Sequence, residues 1–298
     1  MSGPATRDSR LNRERVQTLT FGALRWVVLV GLALATLFPF YYMVVLSLRP
    51  IEEVLLAPEQ LWVSLRELTL DTYADVLRPA EAGGQGFLGF IGNSALVALA
   101  TVLVTLLVSI PGAYAVSRLS FFGRRQVSVL FLAVYLFPSI LIAIPLFVFF
   151  SKVGLRGSLV GLVLVYVSQT VPVSIYMLRN YFETIPVALE EAAALDGCGR
   201  LATLWRVSVP LAAPAIMAVA LYDLMIAWNE FLFALLFMVD KQEMWTVSLG
   251  LSQLSGGIEV SKTVLMAGSV ILTVPIVVLF FLAERLLTEG LTAGADKG

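Results

Sequence analysis

Apolar runs of about 20 residues or more recur along this chain, separated by short polar stretches. A helix needs roughly 20 mostly apolar residues to cross the hydrocarbon of a bilayer, where backbone groups must be satisfied within the segment. Trp26–Leu48 carries no charge, nor does Ala82–Ser117, whose apolar part starts near Phe90. Gln126–Ser151 and Gly157–Leu178 follow. Val207–Val239 is as apolar but holds Asp223 and Glu230, and Thr263–Ala283 is the last run. The pattern predicts an all-α, polytopic membrane protein with six transmembrane helices. Pro39, Pro111, Pro138, Pro145 and Pro172 lie within the runs. Prolines are tolerated in such spans because neighbouring helices and water satisfy the freed carbonyls. The first run is too long for a cleavable signal, and no A-x-A site follows it.

Composition narrows the functional classes. Of the 298 residues, 59% are hydrophobic and 14% charged. Soluble domains sit near 45–50% apolar and about 25% charged, so a soluble fold is excluded. A net charge of −1 argues against a nucleic-acid partner. With no histidine there can be no His-based triad, proton relay or metal site. The single cysteine, Cys198, can form neither an internal disulfide nor a Cys-cluster zinc site. No nucleophile–base pair or H-E-x-x-H motif supports an intramembrane enzyme, and no metal ligands are expected.

Lys and Arg set the orientation. With the N-terminus in the cytoplasm, 13 of the 20 fall on the inner side and seven on the outer. That bias favours both termini inside. The 49–86 loop suits the outer face, with seven acids against three arginines. The expected organisation is a cytoplasmic segment at 1–25, a six-helix domain at 26–287 and a cytoplasmic tail at 288–298.

A polar stretch at about 184–210 interrupts the long apolar region between the fourth and fifth runs. Thr184-Ile185-Pro186 reads as a helix start, with a capping hydroxyl and a proline in the first turn. Val187–Asp196 then reads as a helix, with Ala188, Ala192 and Leu195 on one face. Gly197 supplies a left-handed end. A second short helix is expected from Gly199 towards Val209, before Pro210 and Pro214. Small residues permit close approach by another surface, and acids can pair with arginines, so the loop reads as a docking element. An amphipathic loop on lipid headgroups is the alternative, but such helices carry Lys and Arg on their polar face.

Glu191-Ala192-Ala193, Asp196-Gly197 and Val209-Pro210-Leu211 resemble the EAA loop of ABC importer permeases. "LTLDTYADVL" from Leu68, "NSALVALATVLVTLL" from Asn93, "GAYAVSRLSFFGRR" from Gly112, "FPSILIAIPLF" from Phe137, "AWNEFLFAL" from Ala227 and "GLTAGADKG" from Gly290 resemble its carbohydrate-uptake, maltose-type branch, in particular the smaller of its two permease subunits. Cys198 stands where that family usually has alanine, and the segment before Arg25 has no counterpart. The resemblance implies an ABC type I importer permease fold in a bacterial or archaeal cytoplasmic membrane. It implies a sister permease, a dimer of cytoplasmic ATPase subunits that bind ATP and Mg, and an extracytoplasmic solute-binding protein. This chain itself would hold no cofactor. The coupling residues carried over are Glu190, Glu191, Ala192, Ala193, Leu195, Asp196 and Gly197. A disaccharide such as maltose or trehalose is the expected cargo, with glycerol-phosphate-type substrates possible in the same branch.

Three further stretches bear on function. "GGIEVSKT" (256–263) resembles a phosphate-binding loop, but Ser261 replaces the second glycine and no strand precedes it. Gly290–Gly298 is too polar and glycine-rich to span or form a core, so fraying is the default. The resemblance implies instead that Thr292, Gly294 and Lys297 touch the ATPase. In the fifth run, Asp223, Ala227 and Glu230 share one helical face, with Trp228 and Asn229 flanking it. Charges at membrane depth usually face a bundle interior or water, so this face is expected to look towards the translocation path or the sister permease. Hydrogen bonding to a neighbouring helix is the structural alternative. The same acids could instead serve an ion-coupled secondary transporter.

Overall fold

The computed structural model describes residues 5–57, 60, 62–63, 68–256 and 261–295, with the backbone alone described at 5–19, 132, 256 and 285–295. The described residues form helices and connecting turns, with no strand. The principal helices are α1 (Ala5–Ser47), α2 (Phe87–Arg118), α3 (Arg124–Leu136), α4 (Ser139–Lys152), α5 (Leu159–Thr184), α6 (Val187–Leu195), α7 (Arg200–Leu211), α8 (Ala213–Asn229), α9 (Leu232–Met238), α10 (Val247–Gly256) and α11 (Lys262–Ala295).

Four helices contain uninterrupted stretches long and apolar enough to cross a membrane: Thr20–Ser47, Phe87–Arg118, Leu159–Thr184 and Lys262–Glu284. Two further apolar runs are each broken, which gives up to six spans. The expected third span bends by 94° between α3 and α4, at Phe137–Pro138. Pro138 has no N–H to donate, and its ring keeps the preceding residue out of the α region. By contrast, α1, α2, α4, α5 and α11 run through Pro39, Pro111, Pro145, Pro172 and Pro275.

The expected fifth span, Val207–Val239, is also divided. α7 meets α8 at 79° across Ala212. The π turn at Leu204–Ser208 in α7 widens the helix just before Pro210, which makes room for a ring that would crowd the preceding turn. At 17 residues α8 rises about 25 Å, short of a hydrocarbon core of about 30 Å, and α9 continues the run beyond a break at Glu230–Phe231.

The centre of the bundle is α2 against α5, with α8 laid across both and α11 behind it. Close approach is set by small and hydroxylated residues. Ser94, Thr101, Thr105 and Ser109 are buried along α2, and Thr170 and Ser174 along α5. The Thr105 and Thr170 hydroxyls share a hydrogen bond of 2.7 Å. Such stripes bring apolar helices together where the hydrophobic effect cannot. α1 rests on α11 and is exposed over residues 23–41, with Trp26 and Val27 each 68% accessible, while Leu46 and Ser47 at its end are buried.

The two ends of the bundle are fixed differently. At one, the Asn93 amide donates to the carbonyls of Glu243 and Trp245, and Val247 N–H donates to Ser94 Oγ. At the other lies the 186–211 loop, over a cluster containing Tyr114, Leu178, Phe182, Ile185 and Leu204. α1 continues through the polar N-terminal segment from Ala5, and α11 continues through the expected frayed tail to Ala295.

Candidate functional site

The 186–211 loop is a helix–turn–helix. α6 starts after Pro186, and the expected Thr184 cap is not made. Thr184 instead donates to the Tyr181 carbonyl at the end of α5. α6 ends one residue before the expected boundary. Gly197 N–H donates to Ala194 O (3.1 Å) and Cys198 N–H to Ala193 O (2.9 Å). This pair of bonds closes a Schellman motif, with Gly197 at φ +84° in the left-handed region. A Cβ at Gly197 would meet nothing within 4 Å, so the demand for glycine is conformational only.

Glu190 turns inward. It accepts from Arg118 Nε (2.9 Å), Ser208 Oγ (3.1 Å) and Tyr114 OH (3.2 Å). Arg118 also donates to the Ile185 carbonyl at 2.7 Å. The side chains of Arg118 and Glu190 are each 11% accessible. One carboxylate therefore ties the end of α2 to both arms of the loop. Ala193 is also buried, while Glu191, Ala192, Leu195, Asp196 and Gly197 are exposed. The exposed surface adds two residues that the sequence reading missed. Leu195 is 90% accessible, Leu201 69% and Trp205 45%. Leu201 and Trp205, four residues apart and so on one face of α7, were the available signal.

The acids of the fifth run do not face outward from the chain. Asp223 is fully buried and accepts from Ser174 Oγ of α5 at 2.8 Å, while its second oxygen has no partner. Ala227 is buried beside it. Glu230 accepts from Tyr166 OH (2.6 Å) and from the backbone N–H groups of Phe233 (2.9 Å) and Ala234 (3.2 Å). Those amides open α9 and have no partner within it, so the carboxylate satisfies donors that the helix break creates. Ser248 Oγ holds the Glu230 carbonyl at 2.5 Å. Trp228 is buried and donates to Leu272 O on α11 (2.9 Å). Asn229 alone of the five is exposed, its amide donating to Met225 O. Within the chain these acids are turned against α5, where Tyr166 and Ser174 supply the hydrogen bonds that a buried carboxylate requires, the arrangement of the structural alternative.

Other expected sites fall partly outside the description. Thr292 and Gly294 lie on the described backbone of α11 without described side chains, and Lys297 lies outside the described residues. Of the 256–263 stretch, residues 257–260 lie outside the described residues. Among the described residues no group of three or more acids or cysteines could hold a metal ion.

A bundle of broken and continuous apolar helices, with a loop tied down at one end by the Arg118–Glu190 ion pair, defines a multi-pass membrane protein. Residues 106–292 match the family described as binding-protein-dependent transport system inner membrane component, and the chain belongs to that family. It is 37% identical over 276 residues to the inner membrane ABC transporter permease protein YcjP of Escherichia coli (strain K12), covering 90% of this chain and 95% of that protein. It is 37% identical over 279 residues to the trehalose/maltose transport system permease protein MalG of Thermococcus litoralis, covering 92% and 97%. The fold is shared with a chain of a bacterial ABC transporter involved in the import of the acidic polysaccharide alginate. That match has a TM-score of 0.77 and 23% identity, and covers 90% of this chain and 97% of the other.

Proposed function

We propose that the chain is one permease half of an ATP-driven sugar importer, and that it takes its drive through the 186–211 loop. The observation that carries this reading is the pairing of an exposed apolar tip with an inward ionic anchor. Leu195 and Leu201 offer a partner a contact surface, while Glu190 holds the loop to α2 and to Ser208. A force applied at the tip then moves the membrane helices rather than bending a soft linker. In this reading ATP and Mg are bound by two separate ATPase subunits on the cytoplasmic side, a sister permease completes the path, and a solute-binding protein delivers sugar outside. The Lys and Arg distribution supports placing both termini and the loop in the cytoplasm.

The cargo we assign is a disaccharide of the maltose or trehalose kind. Supporting this are the trehalose/maltose permease of T. litoralis and the trehalose transport system permease SugB of Mycobacterium tuberculosis, 32% identical over 282 residues. An ion-coupled secondary transporter is disfavoured, because Asp223 and Glu230 are both engaged inside the chain. The test is uptake by vesicles holding the chain co-purified with its partners. ATP-dependent accumulation of trehalose or maltose supports the importer. Accumulation by this chain alone, driven by a proton gradient, contradicts it.

A further inference from the structure

We propose that the cleft beside the break in the third span is a binding site for a neutral, polyhydroxylated solute; this rests on the importer reading above and adds a site and a ligand charge to it. The cleft measures about 530 Å³ and lies between the Phe137–Pro138 break and the middles of α5 and α8. That size falls in the range of about 300–1,000 Å³ typical of small-molecule sites.

Three observations point to a wet, ligand-bearing surface rather than to lipid. First, irregular backbone at membrane depth is tolerated only where protein covers it or water reaches it. The described residues leave the break open: Phe137 is 52% accessible and Tyr135 56%. Second, polar side chains gather at this depth. Ser139, Ser168, Gln169 and Tyr222 all line the cleft, and Ser168 is exposed. Third, the side-chain amide nitrogen of Gln169 is buried without a hydrogen-bond partner. A buried donor left unmet carries a standing cost that a ligand acceptor removes.

The lining specifies the ligand. Hydroxyl and amide groups both donate and accept, as a solute carrying several hydroxyls requires. Tyr135, Phe137 and Tyr222 offer flat apolar faces suited to the C–H faces of a sugar ring. Among the described residues no charged side chain lines the cleft. A phosphorylated or acidic solute would enter without a counter-charge, at a steep desolvation cost.

The test uses the assembled complex in vesicles, carrying Cys198→Ser with either Ser168→Cys or Tyr222→Cys and treated with a hydrophilic thiol reagent. Trehalose and maltose are the probes, with glycerol 3-phosphate as the anionic control. The transported neutral sugar at ten times its Kd should slow labelling about tenfold, since roughly one site in eleven then remains free. Gln169→Leu should raise the KM for uptake about tenfold with kcat retained. Labelling unaffected by either neutral sugar would overturn the site. Protection by glycerol 3-phosphate would overturn its neutral character. Unreactive cysteines that instead form a disulfide with the sister permease would show the cleft to be a subunit seam. In each of these cases the parent complex still imports sugar, so the importer reading survives. A parent complex with no ATP-dependent sugar uptake would overturn both.

Discussion

Arg118 and Glu190, 72 residues apart in sequence, form a largely buried ion pair of 2.9 Å that joins the end of α2 to the 186–211 loop. Tyr114 and Ser208 complete the carboxylate's hydrogen bonds, and the Ile185 carbonyl takes a second Arg118 donor. The pair makes the loop and two membrane helices a single mechanical unit.

Removing either partner should loosen that unit. Glu190→Leu or Arg118→Met leaves a largely buried charge unmatched, which costs about 3–5 kcal/mol. The double variant Arg118→Met/Glu190→Leu, which buries no charge, should lose much less than the sum of the two. Thermal unfolding of the four purified proteins measures this. Additive losses would mean that the pair is not coupled.

Gly197 should discriminate by backbone preference rather than by size. With open space around it and φ at +84°, Gly197→Asn should retain most sugar-stimulated ATPase activity in the assembled complex. Gly197→Val should lose it, because a β-branched residue resists the left-handed region. Equal activity in the two variants would contradict a conformational role.

Gly161 is a different kind of glycine. A Cβ there would lie 2.4 Å from the Leu155 carbonyl oxygen, which is backbone and cannot swing aside. Gly161→Ala should destabilise the chain by about 1–3 kcal/mol through overpacking at the start of α5. A melting temperature equal to wild type would show that the connection to α5 gives way freely.

Asp223 should be dispensable for energy coupling. Asp223→Asn keeps an acceptor for Ser174 and removes the ionisable group. Uptake by the complex should persist and stay insensitive to a proton gradient. Glu230→Ala, in contrast, should lose fold stability together with Tyr166→Phe and non-additively, since both act on one hydrogen bond. Loss of uptake in a folded Asp223→Asn complex would revive an ion-coupled mechanism.

The apolar runs made the helical class legible because a bilayer demands long uncharged segments. Gly197 was legible because few residues end a helix in the left-handed region. The break at Phe137–Pro138 was not, since Pro145 and Pro172 sit in equally apolar contexts and leave their helices whole. The partners of the acids were not legible for a related reason. Helical spacing puts Asp223 and Glu230 on one face, but their partners lie on α5, where Tyr166, Thr170 and Ser174 recur every four residues. That hydroxyl stripe was present in the sequence and pointed to the buried side. Glu190's inward turn depends on Arg118, whose position only the fold brings near.

The most direct measurement is cross-linking of the loop tip in the assembled, sugar-importing complex, with Cys198→Ser as background. Leu195→Cys, at a side chain 90% accessible, should form a cross-link to the ATPase subunit and lock uptake, while a cysteine at buried Ala193 should not. A complex that imports sugar with Leu195→Cys freely labelled and never cross-linked to the ATPase would contradict coupling through this loop.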